Sequence, residues 1–166
     1  SSRLDISRVT VDRFDDLDAP SGLWAMPTKN NVTLNWSDNA DNEDGVKVER
    51  RNGASGIFAE IATVGADAEF FTDSGLTQGA TYCYRVRAFN RAGDSAYSNE
   101  ACGTAPRQFS LSVVRAGTGS GRVESTPPGI GCGTDCSELY LSGTSVILTA
   151  TPAAGSTFSG WSGGGC

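Results

Sequence analysis

The stretches Val32-Thr-Leu-Asn-Trp36 and Tyr82-Cys-Tyr-Arg-Val-Arg-Ala88 decide the fold of this chain. In both, large apolar or aromatic side chains recur at every second position and therefore point to one side of an extended backbone. This period of two predicts half-buried β-strands, because the apolar residues of an amphipathic helix recur every three or four positions. We expect Val32, Leu34 and Trp36 to share one face of the core.

Short runs of the same kind follow one another from residue 20 onward, separated by Gly, Asn, Asp and Ser. This rhythm is typical of an antiparallel sandwich. It predicts an all-β fold whose first module, residues 20–106, is a seven-stranded, immunoglobulin-like sandwich. The predicted strands are 22–26, 31–36, 46–51, 58–64, 69–73, 81–90 and 96–103. By alternation, four charged side chains should face water, namely Lys47, Glu49, Arg85 and Arg87.

Three motifs in this module resemble the pattern of fibronectin type III domains. They are Val32-Thr-Leu-Asn-Trp36 preceded by Pro20 and Leu23, then Leu76-Thr-Gln-Gly79-Ala-Thr-Tyr82, then YRVRAFNRAGDSAYSN at 84–99. The second motif departs from the family pattern L-x-P-G-T-x-Y, because Gln78 replaces the proline and Ala80 the threonine. The resemblance implies that Tyr82 forms a tyrosine corner, with its hydroxyl bonded to the backbone near Leu76 or Gln78.

Residues 107–166 are rich in Gly, Ser and Thr and carry three basic and three acidic side chains. Strands are predicted at 109–116, 121–125, 138–141, 145–152 and 157–161. The runs GSGRV at 119–123, PGI at 128–130, CGTDC at 132–136 and GTSVILTATPAAGSTFSGWSG at 143–163 resemble divergent internalin-B-type repeats of bacterial proteins. That resemblance implies a second, smaller β module that is incomplete at its C-terminal end. Residues 1–19 are interpreted as a linker or an N-terminal strand.

The ionisable side chains exclude several classes of function. The chain has no histidine, which rules out Ser-His-Asp and Cys-His nucleophilic sites and His-ligated zinc. Its net charge of −6, without a basic stripe, argues against nucleic acid as a partner. No apolar run approaches the roughly 18 residues of a membrane-spanning helix. We therefore expect a protein that is not an enzyme, needs no cofactor and does not insert into a membrane.

Five cysteines without paired CxxC motifs are typical of structural disulfides in an oxidising compartment. A hairpin turn centred between residues 92 and 93 would place Cys83 opposite Cys102, with both side chains on the outer face and within bridging reach. A redox-active thiol pair is the alternative interpretation for these two. It lacks a helix N-terminus or basic neighbour that would lower a thiol pKa.

The remaining cysteines belong to the second module. Cys132 and Cys136 flank Gly-Thr-Asp and can form a short loop bridge. Cys166 then has no partner within this chain, and we expect its partner in a continuation of the module. This pairing accounts for the odd number of cysteines.

An acidic loop after the second predicted strand is a candidate calcium site. Its carboxylates are Asp38, Asp41, Glu43 and Asp44. The spacing does not follow the EF-hand loop, because Ala40 occupies the third position. Asp, Asn and Gly also favour turns for reasons of backbone conformation alone, so a solvated turn is the competing interpretation.

Trp24 and Trp161 are candidate ligand-binding aromatics, because exposed indole rings can stack on sugars. Core packing is the competing interpretation for both, since aromatic residues bury a large area. The sequence contains no two exposed aromatic residues spaced two apart, which weakens the carbohydrate-binding hypothesis.

These observations favour a structural spacer or accessory module of a secreted or surface-exposed bacterial protein. Its expected partners are neighbouring domains of the same polypeptide. Two alternatives remain: an adhesion or carbohydrate-binding module, and a subunit of an extracellular fibre that assembles by strand pairing through residues 1–14 or the second module.

Overall fold

The computed structural model describes residues 17–163. The chain divides into two compact units with a boundary between Ala105 and Pro106. The described residues form strands and loops and contain no helix, which confirms the all-β prediction. Most of the predicted linker or strand at 1–19, and Cys166, lie outside the described residues.

The first unit is a sandwich of two antiparallel sheets. One sheet has the strand order β1-β2-β5, and the other has the order β4-β3-β6, with β7 and β8 both paired to β6. The strands are β1 (Ser21–Pro27), β2 (Val32–Ser37), β3 (Gly45–Asn52), β4 (Ala59–Gly65), β5 (Phe70–Asp73), β6 (Thr81–Asn90), β7 (Gly93–Asp94) and β8 (Ala101–Thr104).

The core of this unit lies between the sheets, where inward side chains from both form one cluster. Trp36 on β2 is only 4% exposed and lies in the same cluster as Tyr84 and Val86 on β6. Each fully buried side chain of this size contributes about 1.5–3 kcal/mol to folding. The predicted core faces are therefore correct; the buried members are Leu23, Val32, Leu34, Trp36, Val46, Val48, Tyr82, Tyr84, Val86 and Ala105.

Tyr82 fastens the loop before β6. The backbone N–H of Thr77 donates to the Tyr82 hydroxyl oxygen at 3.1 Å, so the bond falls between the two residues at which it was expected. Gly79 in the same loop has a φ of 77°, a left-handed conformation that favours glycine. The Tyr82 hydrogen bond therefore holds the loop against the start of β6, and Gly79 permits the backbone turn that the loop requires.

The predicted strand 96–103 is largely wrong, because only its last part forms a regular ladder. Along 95–100, the hydroxyls of Ser95 and Ser98 accept the backbone N–H groups of Ala88 and Val86 at 2.9 and 3.1 Å. Side-chain oxygens thus take the place of strand carbonyls. The Asn99 amide also bonds both the N–H and the C=O of Leu23, which ties this segment to β1.

Cys83 and Cys102 form a disulfide and are opposite each other in the β6–β8 register. The turn itself is displaced from its predicted centre, since Asn90 pairs with Gly93. Two additional residues in the irregular segment restore the predicted pairing at the cysteines. Cys83 lies opposite Arg51 on the outer face, as predicted, and is 1% exposed because neighbouring side chains cover it.

The second unit contains two small sheets. Its strands are β9 (Gln108–Ser112), β10 (Gly121–Thr126), β11 (Gly131–Cys132), β12 (Ser137–Leu141) and β13 (Ile147–Pro152). β9 pairs with β12, and β10 lies between β11 and β13, all antiparallel. The buried centre is small and consists of Val123, Ile130 and Cys132.

The second disulfide, Cys132–Cys136, closes the loop next to this centre. Beside it, the Ser125 hydroxyl accepts the N–H of Ile130 at 2.9 Å and the hydroxyl of Tyr140 at 2.7 Å. A polar network and a disulfide therefore supplement a hydrophobic core that is small for an independent unit.

The predicted strand 157–161 does not form. Phe158 and Trp161 contact each other edge to face with ring centroids 5.0 Å apart. Residues three apart in an extended strand point to opposite faces, so this contact requires a bent backbone. The contact between the two large rings is favoured here over an extended strand.

Removing the first disulfide tests its contribution to stability. We expect the double substitution Cys83→Ala and Cys102→Ala to lower the free energy of unfolding of the first unit by about 3 kcal/mol. The bridge joins residues with a sequence separation of 19, and closing a loop of that length reduces the conformational entropy of the unfolded chain. Urea unfolding followed by tryptophan fluorescence measures the change. The control, Cys132→Ala with Cys136→Ala, should leave the first unit's transition unchanged, and an equal midpoint for both double variants would contradict the prediction.

Candidate functional site

Three carboxylates from two loops of the first unit form a cluster. Asp38 and Glu43 lie in the β2–β3 loop and Asp67 in the β4–β5 turn, and one oxygen of each lies within 4.8 Å of the others. The structure thus brings together two of the four residues predicted for calcium. It does not place Asp41 and Asp44 in the cluster; both are exposed.

Glu43 is the buried member of this cluster, at 8% exposure. Its Oε1 accepts the backbone N–H of Asp67 at 2.9 Å, and this bond lowers the pKa of Glu43 despite burial. Burial raises the pKa of Asp38, and the negative charges of Glu43 and Asp67 add to that effect. The Oε2 atom of Glu43 is buried with no hydrogen-bond partner among residues 17–163.

Sequence reasoning missed Asp67 because it lies on a different loop, well separated along the chain. One signal was available: a tight β4–β5 turn requires a residue that tolerates a left-handed backbone, and Asp67 has a φ of 57°. Asp and Asn adopt this conformation more readily than other non-glycine residues.

A second group of charges covers the outer face of the β3–β6 sheet, and here one prediction was wrong. Glu49 was expected to face water but is buried at 6% exposure. Arg85 donates to its Oε2 at 2.6 and 2.8 Å, Tyr97 donates to Oε1 at 2.7 Å, and Arg87 lies 3.3 Å from Oε1. The side chains around it therefore exclude water, even though Glu49 points away from the core.

The arginines of this layer are stacked on aromatic rings. Arg85 lies between Phe58 and Tyr97, with its guanidinium carbon 4.2 and 3.7 Å from the two ring centroids. Burial disfavours the ionised form of Glu49, but its bonds to Tyr97 and Arg85 and the arginine charges outweigh burial and lower its pKa. The charges of this layer are paired with one another, which is the character of a structural network.

A third buried carboxylate, Asp73, lies at the end of β5. Its carboxylate accepts a hydrogen bond from the Tyr84 hydroxyl at 2.9 Å and two from Nη1 of Arg50 at 2.9 and 3.1 Å. Burial and the hydrogen bond to Asp73 raise the pKa of Tyr84. The alternation of the strands did not predict this pair, since Tyr84 is an ordinary core position by pattern.

The outer face of the other sheet carries a row of exposed aromatic residues. Trp24 is opposite Asn35 and Asn35 is opposite Phe70 in the strand register. Trp24 and Phe70 are 49% and 66% exposed, and two strand spacings separate their backbones by about 9–10 Å. Phe70 was missed because sequence patterns show spacing within a strand and do not show which strands become neighbours.

The adjacent row on this face is uncharged and contains Met26, Thr33 and Thr72. The other aromatic candidate, Trp161, is 42% exposed and paired with Phe158 in the second unit. The two predicted aromatics therefore lie in different units: Trp161 contacts Phe158, whereas Trp24 lies two strands from Phe70.

Comparison with known proteins assigns both units. Residues 18–104, more than half of the chain, match the fibronectin type III domain model. The chain belongs to the fibronectin type III family. Residues 117–166 match the model of the divergent InlB B-repeat domain, and the predicted order of the two modules is confirmed. We refer to the two units below as the fibronectin domain and the repeat unit.

Several solved structures are similar to part of this chain. A Fn3-like protein from Clostridium thermocellum is 28% identical, with a TM-score of 0.47, over 55% of this chain and 95% of that one. Titin module A71 from human cardiac muscle is 30% identical, with a TM-score of 0.44, over 51% and 88%. A β-1,2-glucanase from Parabacteroides distasonis is 21% identical, with a TM-score of 0.49, over 54% of this chain and 13% of the enzyme.

None of the residues from 17 to 163 belongs to a helix long and apolar enough to cross a lipid bilayer.

The environment of Glu49 predicts a pH dependence of stability. Because the folded state lowers the pKa of this carboxyl, its ionised form stabilises the fold above the unfolded pKa of about 4.3, and the contribution is lost as pH falls through the folded value. The free energy of unfolding should therefore fall more between pH 7 and pH 3 for wild type than for Glu49→Gln.

Urea denaturation at several pH values measures this difference. Glu69→Gln, which changes an exposed carboxylate next to β5 and away from Glu49, is the control and should follow wild type at each pH. A constant difference between wild type and Glu49→Gln from pH 7 to pH 3 would contradict the assignment.

Proposed function

We propose that this chain is a non-catalytic spacer of a secreted or surface-exposed bacterial protein and that it holds neighbouring domains of the same polypeptide apart. The observation that carries the proposal is the order of modules, a fibronectin type III domain followed by a divergent InlB B-repeat. Both kinds of domain are typically non-catalytic, and fibronectin type III domains are common structural modules of bacterial extracellular proteins.

The geometry of the fibronectin domain supports a mechanical role. The ten-residue strand β6 alone is about 33 Å long, so the domain sets a minimum distance between the segments before and after it. Two of its buried carboxylates are paired internally: Glu49 is covered by arginines, and Asp73 is bonded to Tyr84 and Arg50. These pairs connect neighbouring strands and should oppose local opening of the sheets around them.

The two disulfides support an extracellular location. Cys83–Cys102 and Cys132–Cys136 each join residues of one unit. Such bridges persist in oxidising compartments and are rare in the cytosol. A spacer exposed outside the cell would benefit from this bridging, since cross-links reduce the conformational entropy of the unfolded chain.

Domain replacement in the parent polypeptide tests the spacer role. Deleting residues 20–105 should impair the parent protein's activity, because the flanking domains lose their separation. Inserting an unrelated fibronectin type III domain of similar length should restore it, because a spacer requires length and no particular surface. Activity is measured for the parent, the deletion and the replacement, and failure of the replacement to restore activity would contradict the proposal.

Carbohydrate binding is a second candidate, favoured by the row of Trp24, Asn35 and Phe70. Aromatic rings stack on the apolar faces of sugars, and the amide between them can bond hydroxyl groups. This face is uncharged in both rows, which suits a neutral glycan better than a charged one. The backbones that carry the two rings are about 9–10 Å apart, so an extended glycan could contact both rings.

A glycan array and pull-down on insoluble cellulose and chitin test this candidate. If the row binds glycan, Trp24→Ala and Phe70→Ala should each reduce retention at least several-fold, since each removes one stacking surface. Phe109→Ala is the matched control, because Phe109 is similarly exposed, at 60%, but lies in the repeat unit. Absence of retention by wild type, or loss only in Trp161→Ala, would contradict a site on this face.

A further inference from the structure

The loop cluster of the fibronectin domain differs from the other buried carboxylates of this chain. Glu49 and Asp73 each have arginine partners. Asp38, Glu43 and Asp67 form no salt bridge with any Lys or Arg within the described part of the chain. Three negative charges therefore face one another at close range without a compensating cation, which destabilises the loops unless a cation joins them.

Glu43 supplies a second, independent observation. A carboxylate in an exposed acidic group is solvated by water, but Glu43 is more than nine-tenths buried. Its Oε1 is used by the Asp67 amide, and its buried Oε2 has no hydrogen-bond partner among residues 17–163. Buried carboxylate oxygens are normally matched by a donor or a cation, so this oxygen is available to a cation.

We propose that Asp38, Glu43 and Asp67 bind a divalent cation, Ca²⁺ in preference to Mg²⁺. The donor set consists of oxygen atoms only, which suits hard cations and disfavours zinc or copper. The three oxygens lie within 4.8 Å of one another, and two ligands at about 2.4 Å from one Ca²⁺ can be separated by up to that distance. The smaller Mg²⁺ would need the ligands drawn closer into an octahedron.

Such an ion would connect the β2–β3 loop with the β4–β5 turn. Both loops leave the same end of neighbouring strands, because Gly45 at the start of β3 pairs with Gly65 at the end of β4. The loop is also bonded to β6, since the N–H of Asp44 donates to the carbonyl of Phe89 at 2.8 Å. The cation would therefore fix one end of the fibronectin domain, whichever of the two proposed functions holds.

Calorimetric titration of the full 166-residue chain with CaCl₂ and MgCl₂, after dialysis against EDTA, tests this site. We expect one Ca²⁺ per chain with a dissociation constant on the order of 10⁻⁴–10⁻³ M, the range of extracellular calcium modules, and weaker binding of Mg²⁺. The thermal unfolding midpoint of wild type should rise with Ca²⁺ concentration.

Asp67→Asn is the informative variant, because Asn tolerates the left-handed backbone of this position and keeps the N–H that bonds Glu43. It should weaken Ca²⁺ binding about tenfold or more, because one charged ligand is lost. Asp41→Asn removes the same charge from the same end of the domain outside the cluster and should leave affinity within about twofold of wild type.

These variants distinguish a specific cation site from nonspecific attraction of cations to the acidic surface. Equal weakening by Asp67→Asn and Asp41→Asn would overturn the proposal. So would the absence of saturable heat up to about 10 mM CaCl₂, which is about tenfold above the weakest dissociation constant expected. In EDTA, an unfolding midpoint of Asp67→Asn equal to or above that of wild type would show that a loss of binding does not come from a loss of folding, since the substitution removes one of the three like charges.

Discussion

The antiparallel pairing of β3 with β6 is the constraint on which the rest of the fibronectin domain depends. The register places Val48 opposite Val86 on the inner face and Glu49 opposite Arg85 on the outer face. A slip of one residue would exchange the two faces, moving Val86 into water and Arg85 into the core. The same register sets the position of Cys83, whose bridge to Cys102 then fastens the neighbouring strand.

Three buried carboxylates in this domain illustrate how the environment decides the role of a residue type. Glu49 and Asp73 lie beside arginines and tyrosines, so their charge stabilises the sheets around them. Glu43 lies beside two further carboxylates and accepts the backbone N–H of Asp67. The first two carboxylates are paired within the fold, whereas the third belongs to the cation site that we propose.

The two units reach stability by different means. The fibronectin domain has a core shared by two sheets, with Trp36 and Tyr84 at its centre. Among the described residues of the repeat unit, the buried apolar side chains are those of Val123, Ile130 and Cys132, and a disulfide and the hydrogen bonds of Ser125 supplement them. This difference follows from composition, because a segment rich in Gly, Ser and Thr has little apolar surface to bury.

The sequence by itself determined most of the strands, the inner faces and the pairs Cys83–Cys102 and Cys132–Cys136, because these depend on a period of two and on spacing along the chain. Val32, Leu34 and Trp36 are buried as the pattern predicts. The pattern along the chain predicted two strands wrongly. In one, the hydroxyls of Ser95 and Ser98 accept hydrogen bonds in place of backbone carbonyls. In the other, contact between the Phe158 and Trp161 rings bends the backbone.

Only the tertiary structure decided which distant residues meet. Asp67 joins Asp38 and Glu43, and Phe70 joins Trp24, because sheet pairing brings together loops and strands that are far apart in the chain. The burial of Glu49 has the same origin, since the arginines that cover it come from a neighbouring strand. Periodicity describes one strand at a time, whereas a site depends on contacts between several.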